Sequence, residues 1–463
     1  MAGVVVGIPP VILDMVQKGL IERGFHDSLF PTLAYRQEAT FEEWGANSGE
    51  EIVMSRAGLL PPNTTPLTPG TDPSPKTPTF EQWTATLGRY GDTIDTQMPT
   101  SAVAAANLFM RNIQTLGLQA GQSVNRLPRN ALFKAYSSGH TVTTASAGAG
   151  ATTIHVAALN GFTDVLLISQ TAKAMPVSPA FPLQVNIAGI GNRNVIGALA
   201  DDPTDPYGPG TLFLSAAIGG AGVAARVAVK SSAAPRVIRA GGGASVDAIG
   251  PGDIFSLQEA INATAFLRQA NVPPHADGLY HCHISPLANA QVFADPVMQR
   301  LNTALPEHAI YREGFIGTLA GVMFIMNAES PDDINSGVKV STGTNAYYSR
   351  DIGAETVNED GTRIGRMIIT GKSAVYERGL DEATNYVSEA GLNGKQGEFD
   401  IVNGNIQVAT DRIRLILRAP QNRLQDIVSA TWSISTAFPV PSDIGAGGPE
   451  RFKRSIVIEH AIG

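Results

Sequence analysis

Residues 100–136 read TSAVAAANLFMRNIQTLGLQAGQSVNRLPRNALFKAY, and the fold turns on them. Pro99 stops whatever precedes, and Thr100 and Ser101 can cap the free N–H groups of a first turn. Apolar residues then recur at helical spacing through Val103, Ala106, Phe109, Ile113, Leu116, Ala120, Val124 and Leu127, which predicts one continuous buried face. Gly117 and Gly121 weaken such a helix by about 1 kcal/mol each. Pro128 is expected to kink or end it, leaving a second piece from Asn130 to Tyr136. The first piece would span roughly 40 Å. No Asp or Glu occurs from Thr96 to Thr163, while Arg111, Arg126, Arg129 and Lys134 fall inside or just after the helix. The expectation is a basic rod, its cations on one face opposite the apolar stripe, set in an acidic protein.

The chain has 463 residues, a formal net charge of −8 and 43% hydrophobic residues, enough for a core spread over two or three domains. Acidity argues against DNA binding over the whole surface and leaves room for a local basic face. Charged residues make up only 16%, against about a quarter in ordinary domains. A surface so poor in charge suits coverage by other subunits. Cys282 is the only cysteine, so no intrachain disulfide can form. MAGVVVGIPP lacks the basic flank of a signal peptide, and the longest apolar run, Leu319 to Met326, is too short to span a bilayer. A soluble product of the cytosol is expected.

Residues 1–49 read as an arm, with a short helix from Val11 to Arg23 closed by Gly24 and acids at Glu38, Glu42 and Glu43. Residues 50–98 read as an extended hairpin. Glu51 to Ala57 forms one strand and Phe80 to Tyr90 the other, the latter placing Trp83, Ala85 and Leu87 on one face. Between them, Gly58 to Thr79 holds seven prolines and almost no charge. A loop of that length is disordered or functional. Flanking Trp44 and Trp83 favour a stiff projecting tip over a linker, with Pro61, Pro66, Pro69, Lys76 and Trp83 as intersubunit contacts.

Residues 99–139 form the helix and its exit. Residues 140–250 carry short alternating runs: Thr152 to Val156, Val165 to Gln170, Leu183 to Ala188, Thr211 to Ser215, Ala225 to Lys230 and Arg236 to Arg239. Strands at that spacing predict an inserted, autonomous β-barrel or sandwich. In residues 251–463 helices are expected at Asp253 to Gln269 and Pro286 to Leu301. Strands are expected at Leu279 to Ile284, Gly314 to Met326, Arg366 to Tyr376, Ile406 to Leu417, Thr431 to Val440 and Phe452 to Glu459. The class is α+β.

One cluster invites chemistry, His281-Cys282-His283. On a strand the two imidazoles share a face and the thiol points away, and no third metal ligand or base stands nearby. A buried strand is the simpler reading. Gly189-Ile190-Gly191 and Gly219 to Gly222 lack the following helix and Lys of a phosphate loop and read as turns. Asp201-Asp202 and Asp332-Asp333 sit in turn contexts. Lys76 would need a buried catalytic carboxylate to form an isopeptide bond, and none is evident. No catalytic, cofactor or metal site emerges.

The order of parts resembles that of tailed-bacteriophage major capsid proteins of the Johnson fold, in which an N-terminal arm, an extended hairpin loop, a spine helix and an axial domain follow one another. Local segments resemble the family too: Ala39-Thr40-Phe41-Glu42-Glu43-Trp44-Gly45, Asp277-Gly278-Leu279-Tyr280, Glu313-Gly314-Phe315-Ile316-Gly317, Leu319-Ala320-Gly321 and Arg454-Ser455-Ile456-Val457-Ile458-Glu459. The resemblance covers nearly the whole chain outside the β insertion. It implies a non-enzymatic protein without cofactors, assembling with itself as hexamers and pentamers of an icosahedral shell in the virion. It further implies scaffolding and portal proteins as partners, room for a decoration protein, and only non-specific contact with packaged DNA through Arg111, Arg126, Arg129 and Lys134. No membrane partner is implied. The same helix cations can instead pair with the acidic arm. Two other classes are a tail-tube protein, which has no need of so long a helix, and a Cys/His hydrolase built on Cys282.

Overall fold

The computed structural model of the protein describes residues 20–29, 33–45, 48–57, 63–77, 80–103, 108–168, 171–220, 222–303, 317–332, 339–340, 348–380, 400–402, 405–410, 412–418, 423–424, 426–441 and 454–462. They fall into two compact units. One comprises Met1–Ile52, Thr84–Arg129 and Val375–Pro439, the other Val53–Trp83, Asn130–Ala374 and Val440–Gly463.

The first unit is built on the helix Leu108–Tyr136 as far as Arg129. Phe109, Ile113, Leu116, Ala120 and Val124 are buried in one cluster, three or four residues apart, as the sequence period requires. Alternate residues of two antiparallel strands meet them: Ile413, Leu415 and Leu417 from Ile413–Arg418, and Val428, Ala430, Trp432 and Ile434 from Ile427–Ala437. Each large side chain so buried contributes about 1.5–3 kcal/mol. The Trp432 indole N–H donates to Gln119 Oε1 on the helix at 3.3 Å, so the largest of these side chains keeps its polar group satisfied.

Gly117 sits in this helix for a steric reason. The short helix Leu20–Leu29 crosses there, contributing Ile21, Phe25 and Leu29 to the core, and a Cβ on Gly117 would lie 2.8 Å from the Phe25 carbonyl oxygen. The short helix also corrects the sequence reading. It runs through Gly24, whose missing side chain leaves room for Met110, while residues 11–19 of the expected helix lie outside the described residues.

Pro128 does not end the long helix, which continues to Tyr136. Loss of the Pro128 N–H removes one rung and costs about 3 kcal/mol. Burial of Val124 and Asn125 before it and of Leu132 and Phe133 after it offsets that cost. The helical start at Thr100 is also revised, because a helix Met98–Val103 already begins before Pro99.

The sheet of the first unit runs Thr40–Glu43, Tyr376–Gly379, Ile427–Ala437, Ile413–Arg418, Asn405–Thr410 and Asp400–Val402, with Gly88–Gln97 also paired to Ile427–Ala437. Two expected strands are divided. Phe80 to Tyr90 becomes Phe80–Thr86 and Gly88–Gln97, which belong to different sheets. Ile406 to Leu417 becomes a tight hairpin whose turn places Arg412 at φ +66°.

In the second unit the central sheet runs Val237–Arg239, Ser455–Ala461, Ile364–Thr370, Tyr280–Ile284, Val322–Met326 and Thr318–Leu319. Every residue of Ser455–Ala461 and Ile364–Thr370 is buried, as strands covered on both faces require. The helix Leu257–Gln269 joins the same core, its start fixed by a capping box between Ser256 and Glu259. The helix expected from Pro286 to Leu301 is two, Pro286–Ala294 and Pro296–Thr303, broken where Asp295 precedes a proline.

The insertion is a barrel. Its strands run His140–Val142, Ala228–Ser231, Leu183–Ile187, Gly191–Ala200, Gly210–Leu214 and Thr153–Val156, and a bridge from Thr143 to Val156 closes the ring around Ile154, Val156, Leu183, Val185, Ile187, Val195, Leu212 and Leu214. Closure leaves no open edge to pair with another chain. Gly189 and Gly191, at φ +77° and +91°, make the tight turn between two of its strands.

The barrel is smaller than the expected autonomous insertion. Val237–Arg239 pairs with Ser455–Ala461 in the central sheet. Asp164–Ile168 and Thr171–Pro176 form a hairpin in a four-stranded sheet with Glu51–Ala57 and Phe80–Thr86. Arg226 of the insertion bonds Glu355 at 2.9 Å, and Arg350 reaches Asp202 at 2.6 Å. The packing therefore cuts across the expected segments, because these links make the barrel part of the second unit.

At the base of the barrel, Glu459 accepts from Arg239 and Arg366 at 2.8 and 2.9 Å. Burial alone would raise its carboxyl, yet the two guanidinium groups outweigh burial and hold it down at about 2. Burial pushes both His140 and His460 down to about 4. Unfolded histidine titrates near 6.5. The folded chain keeps both imidazoles neutral, so their stabilising difference is present above about pH 6.5 and is lost as pH falls toward 4, at about 1 kcal/mol per pH unit for each proton. Glu459 keeps its full contribution above about pH 4.5 and loses it progressively as pH falls from there to about 2. The urea midpoint should fall steeply between pH 6.5 and 4, and His460→Leu should make that fall shallower. A midpoint independent of pH over this window would refute the assignment.

Candidate contact surfaces: a projecting hairpin and a basic helix

Physical chemistry fixes the stem of the hairpin. Arg56 Nη2 donates to Glu81 Oε2 at 3.0 Å, and the same guanidinium lies 5.8 Å from the centre of the Trp83 ring. Trp83 is half-buried and belongs to the stem, outside the exposed tip.

Asn63 to Thr77 is exposed at every residue and forms no helix or strand. Its one local hydrogen bond between backbone groups closes a turn from Thr68 to Thr71 at 3.1 Å, with Pro69 and then Gly70 at φ +85°, the residue order a type II turn requires. Pro66, Pro69 and Lys76 all lie on this exposed segment, and Pro61 lies outside the described residues. Sequence reasoning missed Leu67, which is 62% exposed and is the only large apolar side chain among the described residues of the tip. The signal was legible as a lone leucine among prolines and threonines.

The four cations of the helix do not share a face. Arg111 is exposed, Arg126 is half-buried and Arg129 is fully buried. The Lys134 ammonium lies 4.1 Å over the Tyr207 ring, and burial lowers its pKa against the opposing pull of Asp205 and Asp351. The apolar period did not reveal this because two polar residues, Asn125 and Arg129, lie on the buried side. Asn125 is there for its hydrogen bond, its Oδ1 accepting from the Tyr35 backbone N–H at 2.7 Å. The acidic arm is likewise engaged locally. Glu42 pairs with Arg378, and the neighbouring Arg36 makes a twofold pair with Glu377, at 2.9 and 2.7 Å.

His281-Cys282-His283 lies on the central strand Tyr280–Ile284. Cys282 and His283 are fully buried, and burial pushes the thiol pKa far up, so no thiolate is available as a nucleophile. His281 bonds Asp277 at 2.9 Å and stacks on His275, the rings 4.0 Å apart. A hydroxyl–imidazole–carboxylate row, Thr144–His155–Asp201, occurs in the barrel, with His155 Nε2 2.8 Å from Asp201. Thr144 is only 7% exposed, so the row ties a strand to a turn and offers no hydroxyl to a substrate. Among the described residues no helix is long and apolar enough to cross a membrane.

No protein-family model and no curated protein matches the chain. Among solved structures, it is similar to the capsid asymmetric unit of cyanophage Pam1, at 8% identity and a TM-score of 0.47 over 94% of this chain and 92% of that one. It is also similar to the capsid of cyanophage P-SCSP1u, at 11% identity and a TM-score of 0.45 over 93% and 89% of the two chains. The capsid of Ralstonia phage GP4 is a further match, at 12% identity and a TM-score of 0.44 over 92% and 87%.

The different burial of the helix cations has a measurable consequence. Arg111→Gln should change stability by less than about 0.5 kcal/mol, as exposed positions do, while Arg129→Ala should cost roughly 2–4 kcal/mol. Urea unfolding of the two variants checks this, and equal losses would contradict the burial difference.

Proposed function

We propose that this chain is the major capsid protein of a tailed bacteriophage, a structural subunit that assembles with itself into the shell around a double-stranded DNA genome. One observation carries the reading. The segment Asn63 to Thr77 has no core of its own, yet it is held out on a stem fixed by Arg56, Glu81 and Trp83. A stiff segment with an exposed leucine gains burial only by docking on another molecule, and its prolines and type II turn reduce the entropy lost on docking.

The order of arm, hairpin, long helix and later sheet also supports the reading, as does the low charge of a chain with only 16% charged residues. A shell subunit needs heterologous contacts that close into rings, and a projecting hairpin reaching a neighbour supplies one. In this account the subunits form hexamers and pentamers, meet scaffolding and portal proteins during assembly, and reside in the virion. A decoration protein is compatible with it. Contact with packaged DNA is non-specific and falls to Arg111, the one exposed cation of the four on the helix.

Excising Gly58 to Thr79 and closing the strands with Asn-Gly should leave a chain that unfolds cooperatively but forms large particles roughly tenfold less well, with Leu67→Ser reproducing part of the loss. Sedimentation velocity reads the particle yield, and full assembly by the deletion would reject the docking role.

A further inference from the structure

A cavity of about 30 Å³ lies in the second unit, lined among others by Ser137, His140, Arg239, Glu355, Arg366 and Glu459. Ser137 is the first residue after the long helix, His140 begins the barrel, and Arg366 and Glu459 are neighbours in the central sheet. The cavity therefore marks the point where the barrel is rooted.

Most polar groups around it are satisfied. Arg239 Nε and Arg366 Nε occupy the two oxygens of Glu459, Arg239 Nη1 donates to the Ala244 carbonyl at 3.0 Å, and Glu355 Oε1 accepts from Arg226 at 2.9 Å. His140 Nε2 is 2.8 Å from the Pro235 carbonyl, so that nitrogen carries the proton of the neutral ring. Arg366 Nη2 makes no aligned hydrogen bond but lies 2.8 Å from Glu459 Oε1 as an ion pair. Two further groups stand out. Arg366 Nη1 and Ser137 Oγ, on residues 2% and 5% exposed, have no hydrogen-bond partner among the described residues. Buried donors are seldom left in that state.

The charge balance selects the class of ligand. Arg239 and Arg366 face Glu459 and Glu355, and Arg226 nearby faces Asp247, so the lining is neutral as it stands. An anion would be repelled by two carboxylates and a cation by two guanidinium groups. The occupant must be small and neutral, accept from Arg366 and bond a hydroxyl. We propose that this cavity is an internal hydration site, its volume sufficient for roughly one or two water molecules, which accept from Arg366 Nη1 and bond Ser137 Oγ. The water joins the end of the long helix to the central sheet at the root of the barrel.

The proposal is tested on the unaltered full chain. A high-resolution crystal structure should show ordered density within hydrogen-bonding reach of both Arg366 Nη1 and Ser137 Oγ, and a bromide soak should leave no anomalous peak there. An empty cavity, or a bromide peak, would overturn the proposal. In solution, thermal midpoints at fixed ionic strength should be the same in chloride and gluconate. A rise specific to chloride would identify an anion site instead. Oxygen-17 relaxation of water adds an independent reading: the natural chain should hold more long-lived water than Ser137→Val, whose methyl groups fill the space, and equal amounts in two folded proteins would also count against the site.

Discussion

The apolar stripe from Phe109 to Val124 is the constraint on which the first unit depends. It is contributed by one helix and covered by alternate residues of two neighbouring strands that come from the far end of the sequence. Neither partner buries its apolar face alone, so sheet and helix form together. The stripe also explains local choices that look unfavourable. Gly117 lowers helix propensity but lets the Leu20–Leu29 helix approach, and Asn125 places an amide on the buried side because the Tyr35 N–H needs an acceptor.

In the second unit the corresponding constraint is ionic. Glu459 between Arg239 and Arg366 fixes three strands, and Arg226 with Glu355 ties the barrel to the rest of that unit. Buried pairs of this kind add little net stability but make breaking one partner costly, which favours one arrangement of the parts over others. A closed barrel has no free edge and gains no further stability from strand pairing, so its attachment falls to side chains such as these.

How much the sequence disclosed depends on the kind of signal. The long helix and four of the six barrel strands were legible because each follows a period. His140–Val142 and Gly191–Ala200 were not read as strands, and the helix expected from Asp253 starts at Leu257, where the Ser256–Glu259 capping box sets it. Pro128 and Gly24 misled because proline and glycine report local cost, whereas tertiary burial decided the outcome at both positions. Strand partners were not legible: Val237–Arg239 looks like one more barrel strand and pairs instead with Ser455–Ala461. The expected basic face failed for the same reason, since charge alone does not tell that Arg129 is buried while Arg111 is exposed. For the hairpin, proline content disclosed stiffness, and Leu67 stood in the sequence as a lone leucine among prolines and threonines, although its 62% exposure is a property of the fold.

On the proposed reading, the exposed segment Asn63 to Thr77 docks on a neighbouring subunit of a closed shell. Electron microscopy of the purified full chain under assembly conditions, such as added crowding agent or salt, tests that claim most directly. The account predicts closed shells of uniform curvature built from rings of six and five subunits. Open tubes, or monomers that never associate, would contradict it.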